Sequence, residues 1–288
     1  MDTHVIKMSL DEIKKLKQRY HRCDFRYDIP HTHFQIKGSD FTITVYNSGK
    51  VVYQAEDLSL HIRDMKPKGT EIIENTKHMS GSDEVGTGDY FGPITVCAVI
   101  LEPEDYEKIP VSKIMDTKMM KDEIIVEIAP ILIENLKHSL LVLQNSKYNE
   151  VQQTNNINAI KAKLHNQAFL HLENKYEMPK LNVIDQFTPE RNYYQYLKNE
   201  PKVFRDLTFV TKAENKYLAV ACGAIIARYA FLKTLDQMGE KYDFIFPKGA
   251  GPHVDEKARE FVAIHGPEML LNVSKYHFKN TQRILDNL

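Results

Sequence analysis

Apolar runs of strand length alternate with stretches of helical periodicity over residues 79–237, and this alternation constrains the fold more than any other feature. The strand-like segments lead up to Asp83 and Asp185 or span Ile94–Leu101 and 207–212, and each is short and rich in apolar residues. Strands that alternate with helices are typical of an α/β domain with one central sheet. The spacing predicts helices near 119–137, 156–174, 191–199 and 217–237, and a helical tail over 253–285.

The N-terminal segment has a different pattern. A short apolar stretch and a helical stretch over 4–20 precede three strand-like segments at 33–36, 41–46 and 50–54. The turn residues between these segments, Gly38-Ser39-Asp40 and Asn47-Ser48-Gly49, favour consecutive antiparallel hairpins. The polar, Pro- and Gly-containing stretch 66–76 is typical of a linker. We therefore predict a small α+β domain over residues 1–66 and an α/β domain over residues 71–288.

Composition excludes several classes of protein. The chain has 288 residues, 42% of them hydrophobic and 27% charged, so it can form large cores, and disorder is a poor hypothesis. Its net charge is −1, although residues 1–70 carry 12 Lys and Arg against 9 Asp and Glu. The three cysteines have no metal-type spacing, and the N-terminus lacks a signal-peptide pattern. No stretch suggests a membrane span, so we expect a cytoplasmic protein without a membrane partner.

The segment Gly81-Ser82-Asp83-Glu84-Val85-Gly86-Thr87-Gly88-Asp89-Tyr90-Phe91-Gly92-Pro93 concentrates unusual residues. Two adjacent carboxylates at a strand end are followed by a glycine-rich loop, whose backbone N–H groups can approach an anion or a sugar closely. Neighbouring side chains on a strand point to opposite faces. Both carboxylates therefore aim at one site only if the strand breaks there, and we expect the glycines to supply that break. An exposed turn is the alternative interpretation.

Two later carboxylates strengthen the hypothesis of a site. Asp185 is the first polar residue after an apolar strand, where α/β sheets place site residues. Glu214 lies between a predicted strand and the long helix that follows. Each alone fits a helix cap or a solvated loop acid, but together with Asp83 and Glu84 they would form a four-carboxylate cluster. Carboxylate oxygens favour Mg²⁺ or Mn²⁺ over zinc.

These motifs resemble those of bacterial ribonuclease HIII, a type 2 ribonuclease H family, over nearly the whole chain. The segment GSDEVGTGDYFGP is similar to the family signature, and VIDQF, KAENKYLAVACGAIIARYAF and FPKGAG follow in the family's order. The resemblance implies an RNase H-like mixed-sheet catalytic domain preceded by a TATA-binding-protein-like substrate-binding domain. It also implies an endonuclease that hydrolyses the RNA strand of RNA/DNA hybrids with two Mg²⁺ or Mn²⁺ ions, leaving 5′-phosphate and 3′-hydroxyl ends.

The family's active-site residues can be placed one by one on this sequence. The catalytic and metal-ligating set falls on Asp83, Glu84, Asp185 and Glu214, with Asp236 as a competitor for the fourth position. The resemblance assigns substrate contacts to Gly86, Thr87, Gly88 and Lys118, and we add Lys212 because it flanks the acids. Lys118 lies in Asp116-Thr117-Lys118-Met119-Met120, where the family commonly has Asp-Ser-Lys-Lys-Leu. Thr87 stands where related enzymes that cut at single embedded ribonucleotides have Arg, which argues for a longer RNA stretch.

Two other functions are compatible with the residues alone. The acids could be structural in a non-catalytic nucleic-acid-binding protein, or the site could hydrolyse a small phosphoester. The preferred hypothesis is a monomeric hybrid-specific nuclease of DNA replication and repair. The choice between Mg²⁺ and Mn²⁺, activity on single ribonucleotides and the oligomeric state stay open at the level of sequence.

Overall fold

A computed structural model of the chain describes residues 2–8, 10–21, 23–55, 78–115 and 121–286. The chain divides into two compact units, residues 1–70 and 71–288. The linker predicted at 66–76 lies outside the described residues, as does Lys118.

The smaller unit is a five-stranded antiparallel sheet with one helix. Its strands have the order β1-β5-β4-β3-β2, so the first strand pairs with the last. The predicted hairpins are confirmed, because β3 pairs with β4 and β4 with β5. The elements are β1 (Asp2–Lys7), α1 (Leu10–Arg19), β2 (Asp24–Arg26), β3 (Thr32–Lys37), β4 (Phe41–Tyr46) and β5 (Lys50–Ala55).

One face of this sheet carries the core. Ile13 and Leu16 of α1 pack with apolar side chains that alternate along three strands, such as Ile36, Ile43 and Val51. Because side chains on a strand alternate between faces, the residues between them lie on the other face. That face is polar.

The larger unit is built on a mixed five-stranded sheet with the order β10-β9-β6-β7-β8. The pairs β6–β7 and β7–β8 are antiparallel, whereas β6–β9 and β9–β10 are parallel. The mixed sheet predicted from the family resemblance is confirmed. Its strands are β6 (Met79–Val85), β7 (Ile94–Leu101), β8 (Lys137–Leu143), β9 (Asn182–Asp185) and β10 (Thr208–Val210).

Helices cover both faces of the larger sheet. In chain order they are α2 (Val111–Met115), α3 (Asp122–Asn135), α4 (Asn145–Gln152), α5 (Ile157–Glu173), α6 (Glu190–Tyr196), α7 (Leu218–Tyr242), α8 (Pro252–His265), α9 (Leu270–Val273) and α10 (Lys279–Leu285). Alternate residues of β7 separate the two cores: Cys97 and Val99 pack with α3 and α7, whereas Val96 and Ala98 pack with α5. Helices α8 to α10 form a third core around Phe261, next to the loop after β6.

Helix α7 lies unusually close to the sheet because two glycines face each other across the contact. A Cβ atom on Gly81 of β6 would lie 2.5 Å from the backbone nitrogen of Val220, and one on Gly223 of α7 would lie 2.8 Å from the carbonyl oxygen of Cys97. No other residue type fits either position without moving the backbone. The helix that follows Glu214 is thereby held directly against the strand that carries Asp83.

By length and composition, one helix of the described residues, α7, is apolar and long enough to cross a membrane. The expectation that no stretch meets this criterion was therefore wrong. Most of its apolar window, 72%, is buried inside the larger unit. The helix is apolar because its side chains form the core against β6 and β7, to which the two glycine contacts hold it closely.

Candidate active site

Asp83, Asp185 and Glu214 lie near the carboxyl ends of three parallel strands. Strands β6 and β9 run parallel with Ser82 beside Ile184, which brings the following residues, Asp83 and Asp185, to the same edge of the sheet. Strand β10 runs parallel to β9, and the 3-10 turn Ala213–Asn215 follows it. This turn carries Glu214. Parallel strands with a shared carboxyl edge thus bring together residues more than a hundred positions apart.

Asp83 and Asp185 also lie on the same face of the sheet. Asp83 is paired across the sheet with Cys97, whose side chain belongs to the α7 face. On β9, Val183 packs with Val220 of α7, and Asp185, two residues further along, points to the same side. Both carboxylates therefore lie on the α7 side of the sheet edge.

Asp83 has the most perturbed carboxyl group of this cluster. Its burial raises its pKa well above the usual value, and the negative charges of Glu84, Asp185 and Glu214 raise it further. A hydrogen bond from the Glu84 backbone N–H to Asp83 Oδ1, at 2.7 Å, opposes this rise in pKa. A cation that binds beside such a carboxyl group stabilises its ionised form.

Asp185 and Glu214 are connected through the 3-10 turn. The backbone N–H of Ala213 donates to Asp185 Oδ1 at 2.8 Å, and Asn215 Nδ2 donates to Glu214 Oε1 at 2.6 Å. Burial and then the charge of Asp185 raise the pKa of Glu214, while Lys212 and Lys216 act against that rise. Lys212 is exposed and has a left-handed backbone with φ of 55°, which starts the turn.

Glu84 occupies the opposite face of the sheet. We expected the glycines to break the strand at the acidic pair, but β6 continues in register through Val85, so the two carboxylates point to opposite faces and this expectation was wrong. Glu84 is paired across the sheet with Val96, on the α5 side. Its Oε1 forms an ion pair with Lys161, and its Oε2 accepts a hydrogen bond from His165 Nε2 at 2.8 Å.

The charges around Glu84 decide its protonation. Burial alone would raise the pKa of Glu84, but the hydrogen bond and charge of His165 and the charge of Lys161 outweigh it and lower the pKa. Sequence reasoning missed both partners and assigned neither of them a role. Their spacing of four residues on an apolar helix, with Phe169 next on the same face, was the available signal.

The structure separates the two candidates for the fourth carboxylate. Glu214 acts electrostatically on both Asp83 and Asp185. Asp236 lies 13 residues beyond Gly223, the residue of α7 that faces Asp83, which corresponds to about 20 Å along the helix. Its carboxylate is 67% exposed and lies 3.9 Å from Lys233. The geometry supports Glu214.

The glycine loop leaves the sheet beside these acids. Gly86 has φ of 95°, and a Cβ atom there would lie 2.2 Å from the carbonyl oxygen of Pro93, so the turn requires glycine. Gly88 is exposed, with no atom within 4 Å of a Cβ position, and Thr87 is half-buried. The loop is fastened by Asp89, whose Oδ1 accepts from the Gly249 backbone N–H at 2.6 Å.

The donor set suits a hard divalent cation, since all four groups are carboxylates and Asp83 is destabilised by its anionic neighbours. Within the described part of the chain, no three His, Cys, Asp or Glu side chains are arranged as a ready-made metal site. The side chain of Glu84 explains part of this, because Lys161 and His165 hold both of its oxygens. Asp83, Asp185 and Glu214 fit the ion in chemistry, and Asp83 and Asp185 share one edge of the sheet, whereas Glu84 is held by Lys161 and His165.

Comparisons with known proteins agree with this architecture. The sequence model of the family described as Ribonuclease HII matches residues 80–281, and that of a domain of unknown function (DUF3378) matches residues 3–61. Ribonuclease HIII of Bacillus pumilus is 39% identical, covering 98% of both chains. Ribonuclease HIII of Listeria monocytogenes is 37% identical, covering 99% of this chain and 98% of its own.

Solved structures show the same fold. Bst-RNase HIII in complex with Mn²⁺ superposes with a TM-score of 0.72 at 32% identity, covering 99% of each chain. The ribonuclease H2 from Pyrococcus horikoshii shares the fold, with a TM-score of 0.60 at 18% identity over 73% of this chain and 98% of its own.

The mixed sheet and the site at its carboxyl edge thus define a type 2 ribonuclease H. With relatives of that name matching nearly its full length, the chain belongs to the ribonuclease HIII family. It is an endonuclease that acts on the RNA strand of RNA/DNA hybrids. This result excludes the non-catalytic alternative that the sequence alone left open.

Proposed function

We propose that this ribonuclease cleaves RNA at the edge of β6, β9 and β10 by a two-metal-ion mechanism, leaving 5′-phosphate and 3′-hydroxyl ends. The observation that carries the proposal is the position of Asp83 and Asp185 on one face at one edge of the sheet, with Glu214 in the turn whose Ala213 N–H binds Asp185. Divalent ions bound by these carboxylates would supply an activated water and would stabilise the leaving oxygen. Mg²⁺ or Mn²⁺ suits these ligands, and the Mn²⁺ complex of Bst-RNase HIII supports this choice.

Each carboxylate has a separate role in this proposal. Asp83, on which the charges of the other three acids act, would be the central ligand, and Asp185 and Glu214 would hold the metal from the ends of β9 and β10. Glu84 would complete the set from the opposite face of β6. The backbone N–H of Ala213 donates to Oδ1 of Asp185 and so orients this carboxylate. Its second oxygen would then be available to the metal.

The glycine loop is our candidate for distinguishing RNA from DNA. Only the 2′-hydroxyl marks RNA at a given sugar. The exposed position of Gly88 and the glycine-specific turn at Gly86 allow backbone groups of residues 86–88 to reach it. Lys212, exposed beside Glu214, would contact a phosphate. Lys118, which lies outside the described residues, is a second candidate for a phosphate contact.

We further propose that the smaller unit, residues 1–66, is a substrate-binding domain like the TATA-binding protein and that residues 71–288 are the catalytic domain. The sheet face opposite α1 carries amide, hydroxyl and aromatic side chains, including Gln35, Thr42, Tyr46 and Gln54. Gln35 Nε2 donates to Thr44 Oγ1 at 2.8 Å, which orders this face. Polar groups on a sheet are suited to contact a nucleic-acid backbone.

The central test replaces Asp83. We expect Asp83→Asn to lower hybrid cleavage at least a thousandfold while hybrid binding survives, because the amide keeps the shape but not the charge. Cleavage by gel assay and binding by fluorescence anisotropy are the measurements. Asp236→Asn is the matched control and should keep wild-type activity. A purified, active Asp83→Asn enzyme would refute the site.

A second test concerns the substrate. Thr87 in the glycine loop favours a requirement for several consecutive ribonucleotides. We expect cleavage of a labelled RNA/DNA hybrid, weak cleavage of a DNA duplex with one ribonucleotide and none of double-stranded RNA. Equal rates on the first two substrates would overturn this assignment.

We also propose that the enzyme acts as a cytoplasmic monomer in DNA replication and repair, without a membrane partner.

A further inference from the structure

Two buried side chains of α5 hold the Glu84 carboxylate from behind the sheet. Lys161 is 7% exposed and His165 is completely buried, and they bind different oxygens of Glu84. The Phe187 ring lies 3.9 Å from Lys161 Nζ and stacks on His165 at 5.5 Å, so it closes this group off from water. None of these three residues belongs to the carboxylate set of the proposed mechanism.

The hydrogen bonds give the two residues different roles. Ser82 Oγ lies 2.8 Å from His165 Nδ1, and His165 Nε2 lies 2.8 Å from Glu84 Oε2. Nε2 donates to Glu84 whether the ring is neutral, with Ser82 donating to Nδ1, or protonated, with Nδ1 donating to Ser82. His165 therefore sets the direction of Glu84. Lys161 supplies a full positive charge.

A buried ammonium beside a metal-binding carboxylate has two opposed effects. It stabilises Glu84 as an anion in an enclosed place, where an unpaired carboxylate would be costly. It also repels a divalent cation, because repulsion between charges is strong where water is excluded. Any ion that takes Glu84 as a ligand must compete with Lys161 for it.

We propose that Lys161 is a built-in counter-ion of the active site, a positioning residue that holds Glu84 in place of a cation and weakens divalent metal binding. His165 holds Glu84 in orientation from the second oxygen. The inference rests on the proposed function, since it requires that Glu84 be a metal ligand. A purely structural ion pair predicts the opposite sign, because loosening the site would weaken metal binding.

The test measures Mn²⁺ binding to the full-length, substrate-free protein by the electron paramagnetic resonance signal of free Mn²⁺. We expect Lys161→Met to bind Mn²⁺ about fivefold more tightly, the order expected when one repelling charge near a divalent ion is removed. At saturating Mn²⁺ its kcat should fall about tenfold, because Glu84 is no longer held. Lys161→Gln, which keeps a donor for Glu84, should show the same tightening with a smaller loss of kcat, and it serves if the Met variant does not fold.

Lys163→Met is the matched control on the same helix, since Lys163 is 40% exposed and pairs with Glu200 at 3.1 Å. It should leave both values unchanged. Glu84→Gln distinguishes a failure of the counter-ion role from a failure of the proposed metal set. If Glu84→Gln weakens Mn²⁺ binding but neither Lys161 variant tightens it, the counter-ion role is wrong and the proposed function stands. If Glu84→Gln binds Mn²⁺ like the wild type, Glu84 is no ligand, and both the counter-ion role and the proposed metal set are overturned.

Discussion

Lys275 has no exposed surface, and its ammonium nitrogen donates to the carbonyl oxygens of Asp89 at 2.9 Å and Gly92 at 2.6 Å. Its backbone N–H also donates to the carbonyl oxygen of Tyr90. A residue of the C-terminal extension thus fastens the loop that begins with Gly86. At the scale of single residues, this loop is held by side chains far away in the sequence.

Lys275 also predicts a pH dependence of stability. Burial lowers its pKa from 10.5 to about 7, against the smaller opposing effect of Asp89. Between these two values the unfolded chain binds the proton and the folded chain does not, so this group makes the free energy of unfolding rise with pH. The slope is at most about 1.4 kcal/mol per pH unit. Below about pH 7 the full cost is present, and it vanishes above about pH 10.5.

Denaturant unfolding of the wild type and Lys275→Met between pH 6.5 and 9.5 measures this effect. The stability of the wild type relative to the variant should increase steadily with pH. Lys279→Met, at an exposed position nearby, serves as the control and should stay parallel to the wild type. Parallel curves for the wild type and Lys275→Met would show that the lysine stays protonated in the folded protein throughout this range, and would overturn the lowered pKa.

At the scale of elements, the contact between α7 and β6 positions the site. The helix begins directly after the turn that carries Glu214 and passes Gly81, two residues before Asp83. A displacement of α7 would therefore move acids on both elements relative to each other. The close approach buries this apolar helix, and it leaves no room for a side chain at positions 81 and 223, which are both glycine.

This packing predicts a strong effect of one methyl group. In Gly81→Ala the new Cβ meets backbone atoms of Val220 and Ala219 at 2.5 and 2.8 Å, so the helix has to shift. We expect a loss of about 2 kcal/mol in the free energy of unfolding, a typical value for overpacking, and a clear fall in cleavage rate. Gly88→Ala, with no atom within 4 Å, should change stability by less than about 0.5 kcal/mol. Equal thermal midpoints for the two variants would contradict the argument.

At the scale of the whole molecule, binding and cleavage are assigned to different units. The smaller unit has its own core around Ile36 and Ile43, and the larger unit contains all four carboxylates. We therefore expect deletion of residues 1–66 to raise KM for a hybrid at least tenfold and to change kcat by less than about threefold. Steady-state kinetics on one labelled hybrid measures both constants. An unchanged KM would remove the substrate-binding role of this unit.

Local patterns predicted much of this architecture. The hairpins of residues 32–55 and the helices at 157–173 and 218–242 were expected from turn residues and periodicity, which are properties of neighbouring residues. The edge strand Lys137–Leu143 was not predicted, because its pattern continues that of the preceding helix.

By itself, the sequence determined which residue types are available: a glycine loop behind two acids, two further acids at predicted strand ends and the family to which they belong. Only the tertiary structure decided how these residues are used. Strand register placed Asp83 and Asp185 on one face and Glu84 on the other, and the packing of α5 brought Lys161 and His165 to Glu84. The physical reason is that side-chain direction depends on the pairing of strands and the docking of helices, which join residues far apart in the chain.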